Sequence, residues 1–192
     1  MSGWRLTLLA ALAGGMACAA AAEPLPANAP GARQEAERLN NLPPVQPGRA
    51  GHIDQSGRKQ KGGASVYAHR FANKKMANGR RMDPNSNMAA SKTLPLGSVA
   101  TVTNLKNGKT ATVTVEDRGP YVNGRVVDLS PKVADQLDLD KTGVAPAEVK
   151  PITLPRPDGG VSLGAGAADV SRREVEHAVQ VTRELTAPNV KK

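Results

Sequence analysis

The chain has 192 residues, with 26 Lys and Arg against 17 Asp and Glu, and a formal net charge of +9. That balance suits an anionic partner, but aromatic residues are only 2% of the chain, too few to stack single-stranded bases, and nucleic acid is set aside. The single cysteine, Cys18, excludes an intrachain disulfide and a cysteine-built metal site.

The N-terminal residues read as an export signal over 1–22. Arg5 supplies the positive charge, an apolar run follows from Leu6 to Leu12, and Ala20 and Ala22 fit a small-residue cleavage site before Glu23. The run is too short and too rich in Gly and Ala to span a membrane. An exported, periplasmic protein is expected, and carboxylate-bearing envelope polymers become the expected anionic partner. Cys18 offers an alternative, lipid anchoring, although Gly15-Met16-Ala17 lacks the larger aliphatic residue that usually precedes a lipidated cysteine. Membrane attachment is expected only if Cys18 is lipidated.

Residues 23–62 are rich in Pro and Ala, and read as a disordered linker with room for a short helix around Ala32–Leu39. From 63 to 155 the pattern changes to short β-branched runs separated by Gly, Asn and Pro, enough for one mainly β domain. Its clearest unit is a hairpin of Val99–Leu105 and Thr110–Glu116 around Lys106-Asn107-Gly108-Lys109. Asn-Gly favours a two-residue type I′ turn, which pairs Leu105 with Thr110 and Thr103 with Thr112. Ala100, Val102, Val113 and Val115 then share an apolar face opposite a threonine face. Arg125–Leu129 reads as another strand, and Ser130 with Pro131 as the cap and first residue of a short helix.

Residues 156–192 read as a Gly-rich linker and a short C-terminal helix. Ser171-Arg172-Arg173-Glu174 forms a capping box, and a helix is expected to run to about Leu185. Its weak stripe of Val175, Ala178, Val179 and Val181 leaves three fates open: docking on the barrel, recruiting an envelope protein partner, or hanging in solvent.

Several ordered blocks carry a resemblance. They are Gly63-Ala64-Ser65-Val66-Tyr67, Met76-Ala77-Asn78-Gly79, Ala89-Ala90, Thr93-Leu94-Pro95-Leu96-Gly97 and Val102-Thr103-Asn104-Leu105 with Asn107-Gly108. Val115-Glu116-Asp117-Arg118-Gly119-Pro120 and Gly124-Arg125-Val126-Val127-Asp128-Leu129-Ser130 complete the series. Together they resemble the rare lipoprotein A family. The resemblance implies a six-stranded double-psi β-barrel with short helices, and endolytic peptidoglycan transglycosylase activity on glycan strands. The sequence has no metal-ligand spacing and no phosphate-cradling glycine loop, so no cofactor or metal is expected.

Such an enzyme cleaves the bond between N-acetylmuramic acid and N-acetylglucosamine without water. The muramic C6 hydroxyl attacks its own anomeric carbon and leaves a 1,6-anhydro end. The reaction needs an acid for the leaving oxygen and a base for the C6 proton, and one carboxyl group can serve both in turn. The resemblance places Asp117 in that role; the alternative is a structural aspartate that caps the turn or pairs with Arg118. Arg118, Asp83, Asp128 and Tyr67 are expected to contribute to substrate binding, Asp128 also fitting an internal hydrogen-bonding role beside the helix start. His69, in the block with Tyr67, reads equally as an ordinary surface residue. The chain departs from the family at two places: Arg80 stands where a glutamate is usual and Ser91 where a histidine is usual. Neither arginine nor serine titrates usefully, so both are assigned to substrate binding and a barrel that binds glycan without cleaving it becomes the alternative. Arg70, Lys74, Lys75, Arg80 and Arg81 form a basic cluster that reads either as a wall for carboxylates or as a solvated loop.

Overall fold

The computed structural model describes residues 25–45, 52–139 and 143–187; the expected export signal and Cys18 lie outside them. Seven strands form one sheet: β1 (Gln60–Val66), β2 (Met88–Ser91), β3 (Val99–Asn104), β4 (Thr110–Asp117), β5 (Arg125–Leu129), β6 (Val144–Pro155) and β7 (Val161–Leu163). Their order is β1-β5-β2-β4-β3-β6-β7, and β6 also pairs with β1, so six strands close on themselves. β1 runs parallel to β5 and β2 parallel to β4, whereas the other ladders are antiparallel. This is a double-psi barrel.

The interior is narrow and filled by small and β-branched side chains. Ala64, Ala89 and Ala100 are fully buried beside Val102, Val113, Val115 and Leu129. Glycine is required where β1 meets the segment entering β5: a Cβ on Gly62 would lie 2.5 Å from Val126 Cγ1 and 2.9 Å from the Gly124 carbonyl. The helix α2 (Pro131–Gln136) follows β5 directly, with Ser130 Oγ accepting from the Val133 N–H at 3.4 Å and Pro131 at the first helical position, as the sequence leads one to expect.

The hairpin forms with a register two residues from the expected one. Thr103 pairs with Thr110 and Thr101 with Thr112. The connection spans residues 105–109, because Asn104 organises a longer turn. Its Oδ1 accepts from the Lys106 N–H at 2.9 Å, its carbonyl from the Gly108 N–H at 2.8 Å, and its Nδ2 donates to the Leu137 carbonyl at 2.9 Å. Only Gly108 in this loop has a positive φ, 75°, whereas a type I′ turn needs two such residues. A shift of two preserves parity, so Ala100, Val102, Val113 and Val115 still face the core.

Both flanks of the barrel are folded, which corrects the expectation of linkers within the described residues. α1 (Ala32–Asn41) buries Ala32, Ala36 and Leu39, spaced to line one helical face. The glycines after Pro155 serve close packing. A Cβ on Gly164 would sit 2.5 Å from the Pro151 carbonyl oxygen, and one on Gly166 would sit 2.6 Å from that of Lys150. The 3₁₀ turn Ala165–Ala168 can therefore press onto β6 and carry the docking surface for α1. α3 (Arg172–Thr186) begins at the expected capping box and buries Val175, Ala178 and Thr182; Thr182 and Thr153 share a hydrogen bond of 2.8 Å beneath it. Of the stripe that was a candidate surface for a protein partner, Val175 and Ala178 are buried against the protein's own barrel, and Val179 and Val181 are half-buried. Among the described residues no helix is long and apolar enough to cross a membrane.

Leu39→Ala tests whether α1 belongs to the folded unit. Truncating this buried side chain is expected to cost about 2–5 kcal/mol, read as a lower urea midpoint in a single transition. An unchanged midpoint would mean that α1 contributes nothing to the barrel's stability.

Candidate active site

A cleft of about 770 Å³ opens at one end of the barrel, between the ends of β1, β4 and β5 and the loop that follows β1. Ser65 lies in β1 and Tyr67 just past its end, and both reach the cleft's carboxyl groups, Ser65 Oγ at Asp128 and the Tyr67 hydroxyl at Asp117. β4 ends at Asp117. Opposite Ala89 and Ala90 of β2 it carries one extra residue, Glu116, so that Val115 pairs with Ala89 and Asp117 with Ala90. The bulge leaves Asp117 on the rim of the cleft and sends Glu116 away from it.

Asp117 is held by three hydrogen bonds. Its Oδ1 accepts from the backbone N–H groups of Ala77 and Arg118, each at 2.8 Å, and its Oδ2 accepts from the Tyr67 hydroxyl at 2.8 Å. A carboxylate offers about four acceptor positions, so roughly one remains for a substrate. Tyr67 is half-buried, and burial together with the hydrogen bond to Asp117 holds its phenolic proton well above the usual range. Its ring meets Phe71 edge-on, with centroids 5.6 Å apart, and packs on the buried cluster of Met76, Met82 and Met88.

Asp128, on β5, lines the same cleft. Ser65 Oγ donates to its Oδ1, and the Arg125 guanidinium lies 3.9 Å from the same oxygen. Oδ2 faces Gly119, where a Cβ would stand 3.7 Å away. Burial pushes the Asp128 carboxyl above the usual aspartate range; Ser65 and Arg125 oppose that rise, and the nearby charge of Asp117 adds to it. Two carboxyl groups in one cleft therefore have unlike surroundings.

The remaining expected site residues divide. Arg118 lines the cleft, but its guanidinium is committed to the barrel wall, donating to the Ser91 carbonyl at 3.2 Å and to the Leu94 carbonyl. Ser91 is buried, its Oγ accepting from the Leu94 N–H at 3.1 Å, so it shapes a turn behind the cleft. Arg80 points to solvent and pairs with Glu116 at 3.3 Å, outside the cleft wall. Asp83 is exposed and closes its own turn by accepting from the Asn85 N–H at 2.9 Å. Substrate contact by Asp83, Arg80 or Ser91 therefore has no support in the geometry. His69 is exposed and does not line the cleft. Ser65, Phe71 and Tyr121 belong to the site without having been singled out from the sequence.

Comparison with known proteins gives a consistent result. The lytic transglycolase family matches residues 59–149. An endolytic peptidoglycan transglycosylase RlpA of Campylobacter jejuni is 45% identical over 89 residues, covering 46% of this chain and 32% of the relative. One from Pasteurella multocida is 40% identical over 128 residues, covering 67% of this chain and 43% of the relative. The chain spans less than half the length of these curated relatives. Among solved structures, the Streptomyces papain inhibitor (SPI) overlays with a TM-score of 0.38 at 25% identity, covering 49% of this chain and 94% of that one.

The buried carboxyl makes a prediction about stability and pH. A folded-state value above the ordinary 3.8 means that the folded protein binds the proton more tightly, so stability falls as pH rises from about 3.8 through the raised value. Asp128→Asn keeps an oxygen for Ser65 and removes that cost. Its melting temperature relative to the parent should therefore be higher at pH 7 than at pH 4. A difference independent of pH would contradict the assigned shift.

Proposed function

Because this chain belongs to the rare lipoprotein A family through its barrel, we propose that it is a lytic transglycosylase that cleaves peptidoglycan glycan strands to 1,6-anhydro ends. The observation that carries the proposal is the pair of unlike carboxyl groups on one cleft. Asp117 is clamped by three donors, and Asp128 is half-buried on the cleft wall with one oxygen toward Gly119.

The muramic acid sits with its glycosidic oxygen toward Asp128 and its C6 hydroxyl toward Asp117. Asp128, whose carboxyl is held above the usual aspartate range by burial, gives its proton to the leaving oxygen as the bond to the anomeric carbon breaks. The fixed charge of Asp117 stabilises the cationic sugar, and its remaining acceptor position receives the C6 proton as that oxygen closes on the anomeric carbon. The proton returns from Asp117 to Asp128 through solvent, and no water enters the product. Tyr67 and the Ala77 and Arg118 N–H groups keep Asp117 from rotating, which holds the reacting groups in place. An exported, periplasmic setting follows from such a substrate, and the expected signal over residues 1–22 agrees with it.

A second reading, a barrel that binds glycan and no longer cleaves it, is favoured by one observation. Neither Arg80 nor Ser91, at the positions usually held by a glutamate and a histidine, faces the cleft with a group able to carry a proton.

Mass spectrometry of glycan strands after incubation distinguishes the two. The parent protein should release anhydro-ended fragments, and Asp117→Asn should slow their release by about 10²–10⁴-fold. Release unaffected by the substitution would remove Asp117 from the mechanism. Binding to sacculi without any fragments would establish the second reading.

A further inference from the structure

The loop after β1 presents an unspent group of cations to the cleft. It is an ordered structure: the Asn73 N–H donates to the Met82 carbonyl, the Met82 N–H to the Lys74 carbonyl, and the Met76 N–H to the Arg80 carbonyl, at 2.8–2.9 Å. Met76 and Met82 bury its inner side. Its outer side carries Arg70, Lys74 and Lys75, all three exposed and all three on the cleft wall. Among the described residues none of these three pairs with a carboxylate, whereas Arg80, on the next turn of the chain, is engaged with Glu116. Arg70 stacks over the Phe71 ring at 5.1 Å, Phe71 meets Tyr67, and Tyr67 donates to Asp117. That chain of contacts fixes Arg70 two rings away from the reacting carboxylate.

We propose that Arg70, Lys74 and Lys75 form a carboxylate-binding subsite that seats acidic groups carried by the glycan strand beside the reaction centre. The inference rests on the function proposed above and extends it to substrate selection. Cations left without internal partners beside two carboxyl groups gain most from a ligand that brings its own negative charge, spaced away from the aspartates. Peptidoglycan carries that chemistry in two places. The lactyl group of muramic acid is a free carboxylate once the stem peptide has been removed, and the stem peptide carries carboxylates of its own while it remains. The basic wall recognises the carboxylate in either case, and ordinary ionic strength screens the attraction because the cations are exposed.

The test compares three substrates of equal length: peptide-free strands with free lactyl carboxylates, peptide-bearing strands, and peptide-free strands whose lactyl carboxylates have been amidated. Each is assayed for anhydro ends and for binding affinity. The parent protein should bind one carboxylate-bearing substrate about tenfold more tightly than the amidated strands at low ionic strength, and the advantage should shrink as salt is raised. Preference for the peptide-free strands assigns the lactyl group, and preference for the peptide-bearing strands assigns the stem peptide. The triple substitution Arg70→Ala, Lys74→Ala, Lys75→Ala should abolish that preference through KM. A triple substitution elsewhere, Lys106→Ala, Lys132→Ala, Arg173→Ala, removes the same charge from other surfaces and should retain it. Equal affinity for all three substrates would overturn the subsite, as would equal effects of the two triple variants. Absence of anhydro ends from every substrate would overturn the transglycosylase reading, while the affinities would still decide the subsite.

Discussion

The close passage of β5 beside β1 at Gly62 is the constraint on which the rest of the structure depends. With no side chain there, the Gly124 carbonyl accepts from the Gly63 N–H at 2.7 Å and the two strands run parallel from that point. β1 thereby pairs with β5 on one edge and β6 on the other, and the sheet has no open end between them. The same pairing brings Ser65 and Asp128 into register, so the strand contact that closes the barrel also fixes one carboxyl of the cleft. Tyr67 lies just past the end of β1, where it reaches Asp117 on β4. Closure and the geometry of the cleft therefore share a single backbone feature. A larger residue at position 62 would disturb both.

The cleft separates its charges by their surroundings. Asp117 is surrounded by donors on a wall made by β4 and the Ala77 segment, and Asp128 is withdrawn into a less solvated position beside Ser65. The cations divide in the same manner. Arg118 is absorbed by backbone carbonyls of the barrel, and Arg125 lies near Asp128, whereas Arg70, Lys74 and Lys75 remain available on the loop. Groups committed to the scaffold give the site its rigidity, and groups left uncommitted are those able to meet a ligand.

Local rules made much of the barrel legible in advance. The β5 strand, the Ser130 cap and the capping box at Ser171 each rest on residues within a few positions of one another, and each forms as their chemistry directs. Alternation placed Ala100, Val102, Val113 and Val115 on the core face even though the hairpin register moved by two. The turn itself was misread because Asn104 takes up a hydrogen bond to Leu137, a residue some thirty positions away that no local rule anticipates. The flanks were misread for a related reason. Glycine and alanine that read as linker composition also permit the tightest backbone packing, as at Gly164 against Pro151, and only the partner surface distinguishes the two uses. In the site, Asp117, Asp128, Tyr67 and Arg118 came together, whereas Arg80, Ser91 and Asp83 did not, because the Glu116 bulge and the local turns direct them elsewhere.

Internal attack, as proposed for this cleft, breaks the glycosidic bond with no water consumed. Running the reaction in water enriched in heavy oxygen tests it most directly, because a hydrolase must place solvent oxygen on the new reducing end. Internal attack should yield anhydro-ended fragments with no heavy oxygen at the cleaved anomeric carbon. Reducing ends that carry the label, formed in proportion to cleavage, would contradict it.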